Sequence, residues 1–414
     1  LDGTAVTVPN DPFFEALTLS FQVLGGSGPY RKSNLVRVTP QAGGTWKAPL
    51  NQPTVPIAGG GAASAPAAEL VFAGGSGPVA QRYKSRTEQW ETAGATFGVG
   101  LFSQTTGLPD GRVLFTGGLD ITTGQTTNAA AVYDPVAQTT LSLTMASPRA
   151  GHGASVMGNG KVLITGGLSA LNLTNPLSLF TGLVATTEIF DPATNTFGAG
   201  PNMLEARALH TSTTLTNGQV FIAGGISLLP IINIPTVSAT AYRFNPTTNS
   251  FGLPSPFSGA RFLHTAVPLS TGNRVLLIGG ATLDFTTFLT TGQIQDIVIG
   301  TRTDCQVYTP SLFGFGTFAT VNGMSEGRAG AAAAPLPGGG AVIAGGFQLA
   351  FDLANSVFAF NPTSSADRYV TPNAIVPVGS MGDARAFPFA VNLPDGTVMV
   401  TGGGPLSTEI FQPN

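Results

Sequence analysis

The chain has 414 residues, including 55 Gly and 31 Pro, while charged residues make up only 9% and the formal net charge is −3. So little charge excludes the basic stripe that binding to nucleic acid requires, and the scarcity of Lys, Glu and Arg, which fill exposed helix faces, points to an all-β chain. The hydrophobic fraction is 42%, yet the most apolar stretch, Ile226 to Val237, is broken by Pro230 and Pro235, and no run reaches the roughly 18 residues of a membrane-spanning helix.

Taken in chain order, the first strand-like segment is Thr4-Ala-Val-Thr-Val8. A short apolar strand ending in Gly-Gly then occurs eight times, at intervals of 43 to 66 residues: it closes at Gly26, Gly75, Gly118, Gly167, Gly225, Gly280, Gly346 and Gly403. Typical copies are Val113-Leu-Phe-Thr and Val275-Leu-Leu-Ile. A run of four such residues with little polar alternation reads as a strand buried on both faces, and the Gly pair marks a positive φ or a close backbone approach.

Beyond most Gly pairs lies a large apolar residue followed by a Pro turn, as in Val38-Thr-Pro40, Tyr133-Asp-Pro135, Phe190-Asp-Pro192, Phe244-Asn-Pro246, Tyr308-Thr-Pro310, Phe360-Asn-Pro362 and Phe411-Gln-Pro413. The Asx side chain and the fixed φ of Pro make these turns. About seven residues on, a bulky residue recurs as Trp46, Trp90, Phe197, Phe251 and Phe315, the mark of a return strand. A third signature precedes the later Gly-Gly strands: Arg149-Ala-Gly-His152, Arg207-Ala-Leu-His210, Arg261-Phe-Leu-His264, Arg328-Ala-Gly-Ala331 and Arg385-Ala-Phe-Pro388. With turns such as Leu108-Pro-Asp-Gly111 and Leu393-Pro-Asp-Gly396, each repeat spells four strands.

Gly-Gly, an aromatic with Asp-Pro, a bulky return residue and Arg-x-x-His together resemble the kelch repeat family, whose period is about 50 residues. The resemblance implies an all-β fold, a single kelch-type β-propeller over 1–414. Its four-stranded blades are expected near 13–50, 51–93, 97–145, 149–200, 207–256, 261–320, 328–376 and 385–414, with 1–10 as the closing strand of the last. Eight blades are expected; seven, with an accessory N-terminal hairpin, is the alternative. The first two repeats lack Arg-x-x-His, and the second, around Arg82-Tyr-Lys-Ser-Arg86, lacks the Pro turn.

No motif in the chain announces catalysis. His152, His210 and His264 are the whole histidine supply and stand at one repeat position, so a propeller would spread them around a ring rather than converge them on a metal. They are expected, with Arg149, Arg207, Arg261, Arg328 and Arg385, to tie neighbouring blades together; in family relatives such positions lie near a ligand-binding mouth. Copper-radical oxidases related to galactose oxidase use a similar scaffold, but that resemblance implies a Tyr–Cys crosslink and paired His ligands. Cys305, the only cysteine, sits before a third strand, where a buried small hydrophobe is expected. No disulfide or cysteine-built zinc site follows from one cysteine. Asp110, Asp134, Asp191 and Asp395 are accounted for as turn formers, and Gly59-Gly-Gly61 and Gly338-Gly-Gly340 precede no helix that could aim amides at a phosphate. No enzyme, metal or cofactor is expected.

The departures from plain repeat are more informative, because propellers place function on loops held by a rigid ring. The loops Leu168 to Thr187, Ile226 to Ala239 and Ala281 to Thr303 are long, apolar and consecutive, hence side by side on one face. Leu177, Phe180, Leu183, Leu228, Leu229, Ile231, Ile232, Ile234, Phe285, Phe288 and Ile297 are the candidate partner-binding residues. Internal packing of the loops on one another is the competing reading. The expected function is an extracytoplasmic protein-binding or assembly module; a structural subunit of a surface array or filament, and a glycan-binding or glycan-cleaving propeller, are the alternatives. The partner is a protein or a second copy, with peripheral membrane contact left open. The start at Leu1 rather than Met fits a processed N-terminus, and low Lys with high Gly, Thr, Ser and Asn fits a secreted, periplasmic or cell-surface protein.

Overall fold

A computed structural model describes residues 19–21, 36–38, 44–53, 61–65, 69–73, 79–96, 100–120, 123–171, 180–228, 234–270, 272–293, 296–311, 315–337, 339–352 and 357–413. Seven of the eight Gly-Gly segments run as the second strand of a four-stranded antiparallel sheet. In six of them, from Val113–Thr116 to Val398–Thr401, all four residues are buried, as a strand covered on both faces requires.

Sheets follow one another along the chain. The first contains Gly61–Ala65, Glu69–Ala73, Val79–Lys84 and Gln89–Thr96; the second Gln104–Gly107, Val113–Thr116, Ala129–Asp134 and Thr139–Thr144. The third contains Gly153–Val156, Val162–Thr165, Thr187–Asp191 and Thr196–Ala199; the fourth Thr211–Thr214, Val220–Ala223, Thr240–Asn245 and the short pieces Ser250–Phe251 and Ser255–Pro256. The fifth holds Thr265–Pro268, Val275–Ile278, Cys305–Pro310 and Gly316–Val321; the sixth Ala332–Pro335, Ala341–Ala344, Ala366–Val370 and Ala374–Val378. The seventh runs Phe389–Asn392, Val398–Thr401, Thr408–Gln412 and then, from the other end of the chain, Thr45–Lys47. First strands of successive sheets touch in cyclic order, the seventh against the first. A separate apolar cluster fills each junction: Leu114, Val132, Ile164 and Phe190 between the second and third, for instance, and Tyr83, Trp90, Met399 and Ile410 between the first and seventh. The arrangement is propeller-like.

The described residues thus hold seven four-stranded sheets where eight repeats were expected. Of the expected first repeat, Leu19–Phe21 pairs with Val36–Val38 as a hairpin outside the seven sheets. Its Trp46 instead lies opposite Phe411, with ring centroids 5.2 Å apart, and donates from Nε1 to the Gly379 carbonyl at 2.5 Å. Thr45–Lys47 is thus the outer strand of the seventh sheet; the segment expected to close the last blade, 1–10, lies outside the described residues. Most outer strands supply a large residue against the aromatic of the third strand, as in Tyr83 with Trp90, Phe190 with Phe197 and Phe244 with Phe251, and Trp46 does so against Phe411.

Two other assignments shift. Phe318, not Phe315, faces Tyr308, and Phe315 is exposed. Phe360-Asn-Pro362 is not a third strand but part of an inserted hairpin, Phe347–Asp352 with Val357–Pro362; the third strand of the sixth sheet is Ala366–Val370, where Tyr369 takes the aromatic position.

Candidate functional site: the ring mouth and its crown of hairpins

The five repeat arginines are fully buried and share one bonding pattern. Nη1 of Arg149 donates to the Gly166 carbonyl at 2.8 Å and to Thr186 at 2.9 Å. Arg207, Arg261, Arg328 and Arg385 repeat this on Gly224, Gly279, Gly345 and Gly402, the first Gly of each pair, and on the carbonyl just before or within the start of the third strand. Each arginine carbonyl accepts from the second Gly of the preceding sheet, as Gly118 to Arg149 at 2.8 Å and Gly280 to Arg328 at 2.9 Å. One residue thereby stitches two sheets. A carboxylate balances every guanidinium: Glu188, Glu205, Asp304, Asp367 and Glu409 in turn. Burial pulls Arg149, Arg261 and Arg328 below the usual arginine range, opposed by these carboxylates, and guanidinium groups stay charged.

The three histidines also bridge sheets. Nε2 of His152 meets Thr116 Oγ1 at 2.8 Å, His210 meets Thr165 at 2.9 Å, and His264 meets Thr211 at 2.9 Å. Thr116 and Thr165 stand just before their Gly pairs; the pair after Ala223 is also followed by a repeat with His, and there Thr211 of the first strand supplies the hydroxyl instead, while the pairs after Ile278 and Ala344 are followed by Ala331 and Pro388. Burial, with the neighbouring arginine next, lowers His152 to about 3 and His210 and His264 well below the usual histidine value. All three are neutral at physiological pH.

The residue between arginine and histidine forms a feature the sequence reading missed. Phe102, Gly151, Leu209, Leu263, Gly330 and Phe387 occupy this one repeat position and all have left-handed φ between 50° and 61°. Amide-to-carbonyl bonds run from Gly151 to Phe102, Leu209 to Gly151, Leu263 to Leu209 and Gly330 to Leu263, at 2.7 to 3.0 Å. A belt of backbone thus crosses from sheet to sheet. Glycine suits that φ at Gly151, where a Cβ would also come within 2.6 Å of Leu209 Cδ2 and push that side chain aside. The belt and the histidines line a cavity of about 290 Å³ at the ring mouth. A wider groove, about 600 Å³, lies between the outer strands of the second and third sheets, with Arg149, Glu188 and Phe197 among its walls.

Above the belt stand the insertions after the Gly pairs. Leu119–Asp120 pairs with Gln125–Thr126, Leu168 bridges Leu183, Ile226–Leu228 pairs with Pro235–Val237, Ala281–Asp284 with Val298–Thr301, and Phe347–Asp352 with Val357–Pro362. Consecutive hairpins touch, Pro235–Val237 against Ala281–Asp284 and Val298–Thr301 against Phe347–Asp352. Of the candidate partner-binding residues, Phe180, Phe285 and Ile297 are buried in a cluster shared with Leu168, Ile226, Phe262 and Phe347, and Phe180 stacks edge-on to Phe285 at 5.2 Å. Leu183 and Leu228 pack on it partly buried, and Ile234 is half-buried. Leu177, Leu229, Ile231, Ile232 and the Phe288 side chain lie outside the described residues. Much of the loops' apolar surface therefore packs internally, and what the crown leaves exposed includes Val298 at 64% and Phe360 at 49%, the latter with its ring against Phe347 at 5.0 Å; the sequence reading singled out neither as a contact residue.

Other candidates resolve into structure. Burial pushes the Cys305 thiol up to about 12, and Asp110, Asp134, Asp191 and Asp395 each accept a backbone amide two residues on, at 2.9 to 3.0 Å. Among the described residues no three His, Cys, Asp or Glu side chains are grouped to hold a metal ion, and no helix is long and apolar enough to cross a membrane.

Cyclic sheets, inter-sheet arginine stitches and an apolar crown define an all-β, propeller-like protein whose polar repeat residues brace the ring. None of the known family models and no curated relative matches the chain. Among solved structures it is similar to YjhT, a kelch-type propeller protein, at 16% identity and a TM-score of 0.57, with 80% of this chain and 99% of that chain covered. At that identity the likeness shows the fold alone.

Proposed function

We propose that the chain is a kelch-type propeller of seven blades, closed by Thr45–Lys47, that acts outside the cytoplasm as a protein-binding or assembly module and is not an enzyme. Its docking surface is the crown, whose hairpins rise from the second to the sixth sheets. The single observation that carries this reading is the crown's division of labour: buried Phe180, Phe285 and Ile297 fix the hairpins, while Val298 and Phe360 stay exposed on neighbouring hairpins. Apolar side chains held outward on a rigid base suit a contact that forms with little ordering cost. Histidines and arginines, the groups best suited to chemistry, are engaged in bonds between or within sheets. The extracytoplasmic assignment rests on composition.

The test replaces Val298 and Phe360 together by Asp, both on exposed positions, and compares capture of the binding partner with that of the unaltered protein. Lost capture with an unchanged unfolding transition supports the crown; full capture moves the contact elsewhere.

A further inference from the structure

We infer that copies of this chain associate end to end by pairing the outer strand of the second sheet, Thr139–Thr144, with the outer strand of the fifth, Gly316–Val321, of the next copy. Among the described residues each outer strand has a strand partner on one side only, and its other edge offers backbone groups to an extended strand except where a side chain takes them, as Asn51 does at Trp90 and Asn322 at Ile375. Most outer strands carry a device against this. The first contains Glu91 and an irregular register; the third is four residues long with Gly198; the fourth is cut by Pro254; the sixth contains Pro377; the seventh is three residues ending in Lys47. The two remaining strands are six residues each, without charge or proline.

They match each other as well as lacking protection. In both, most side chains are exposed, Leu141 at 45%, and the Gly316 amide is already taken by Ser255 Oγ, so the free edge of the second strand begins at Thr317. A net charge of −3 over 414 residues gives copies little reason to repel. The occupant that fits both edges is thus a second copy. The inference rests on the seven-bladed reading, which places the two sheets three blades apart, about 150° around the axis. Unlike edges make a heterologous contact, which leaves one free edge at each end of a pair, and edges on nearly opposite sides turn each copy too little to close a small ring, so the product is a growing chain of copies rather than a dimer.

The experiment is sedimentation of the whole chain over a range of concentrations, beside Leu141→Lys and Ala319→Lys, both on exposed positions and checked for folding by circular dichroism. The expected result is mass that grows without a plateau for the unaltered chain and a monomer for each variant. An equimolar mixture of the two variants should stop at a dimer, since each supplies the edge the other lacks. A monomer at every concentration, undiminished growth in either variant, or variants that each stop at a dimer would overturn the inference. Seven-lobed particles in electron micrographs alongside no growth would sink the association alone; another lobe count would sink the ring reading beneath it.

Discussion

Replacing Arg328 by Met should be among the most damaging single changes in the ring. Its guanidinium and the Asp367 carboxylate, 2.7 Å apart, are both fully buried, and Nη1 also serves the carbonyls of Ser365 and Gly345. Met fills much of the volume but leaves the buried Asp367 carboxyl without its cation, held by the Ser325 amide and hydroxyl. Breaking a fully buried pair costs about 3–5 kcal/mol, mostly the penalty of the orphaned charge. Unpaired carbonyls add about 1 kcal/mol or more. If that account is right, Asp367→Asn in the Arg328→Met background recovers about 2 kcal/mol, because it removes the orphan. Denaturant titration is the assay of choice: with about 2 cal/mol/K of unfolding entropy per residue, 1 kcal/mol moves the Tm of a chain this long by only about 1 °C. Arg261, whose partner Asp304 is 26% exposed, should cost less, since water can reach the carboxylate. A cost below about 1 kcal/mol for Arg328→Met, or no recovery in the double variant, would refute the stitch as a source of stability.

Stability should also fall on mild acidification, before carboxylates protonate. His152 titrates near 3 in the folded chain and near 6.5 when unfolded, so the unfolded state binds the proton first as pH drops. The stabilisation is complete above about pH 6.5 and is lost between there and 3; at pH 5 this residue alone removes about 2 kcal/mol relative to pH 7.5. His210 and His264 act in the same direction. Denaturant midpoints at the two pH values, for the natural chain and His152→Gln, check this, and a pH-independent midpoint would rule it out. Trp46→Ala should cost about 2–4 kcal/mol by freeing the last sheet's outer strand, with hydrogen exchange rising at Thr408–Gln412; exchange unchanged there would mean that Thr45–Lys47 does not close the ring.

Much of the fold was legible because local chemistry and long-range pairing agree in the middle repeats. Tyr133, Phe190 and Phe244 lie in the third strands their Asp-Pro and Asn-Pro turns mark. The reading slipped where an insertion imitates the repeat. Phe360-Asn-Pro362 has the right composition but pairs with Phe347–Asp352, and only the register of Ala366–Val370 with Ala341–Ala344 identifies the true third strand. Thr45–Lys47, read as part of the first repeat, pairs instead with the last one, for a related reason. A strand that pairs across the whole chain leaves no spacing signal, and Thr4 to Val8 has strand propensity as good as Thr45–Lys47. The distinguishing mark was the large side chain: Trp46 completes a stacking position that Phe411 leaves open.

The candidate site was less legible, and the reason is that burial inverts the meaning of an apolar residue. Loops rich in Leu, Ile and Phe announced contact, but contact with what is decided by neighbours far off in sequence, and Phe180 finds Phe285 where an outside partner was expected. The exposed pair Val298 and Phe360 gave no signal, since each stands among residues that alternate between the two faces of a hairpin. The left-handed belt was readable in principle. Its position holds Gly in Arg149-Ala-Gly-His152 and Arg328-Ala-Gly-Ala331, and Gly recurring with Leu and Phe at one repeat position suggests a backbone constraint rather than a side-chain role. Leu209, Leu263, Phe102 and Phe387 accept a φ that costs them about 1–2 kcal/mol each because the belt's hydrogen bonds and the apolar cluster above it offset the strain.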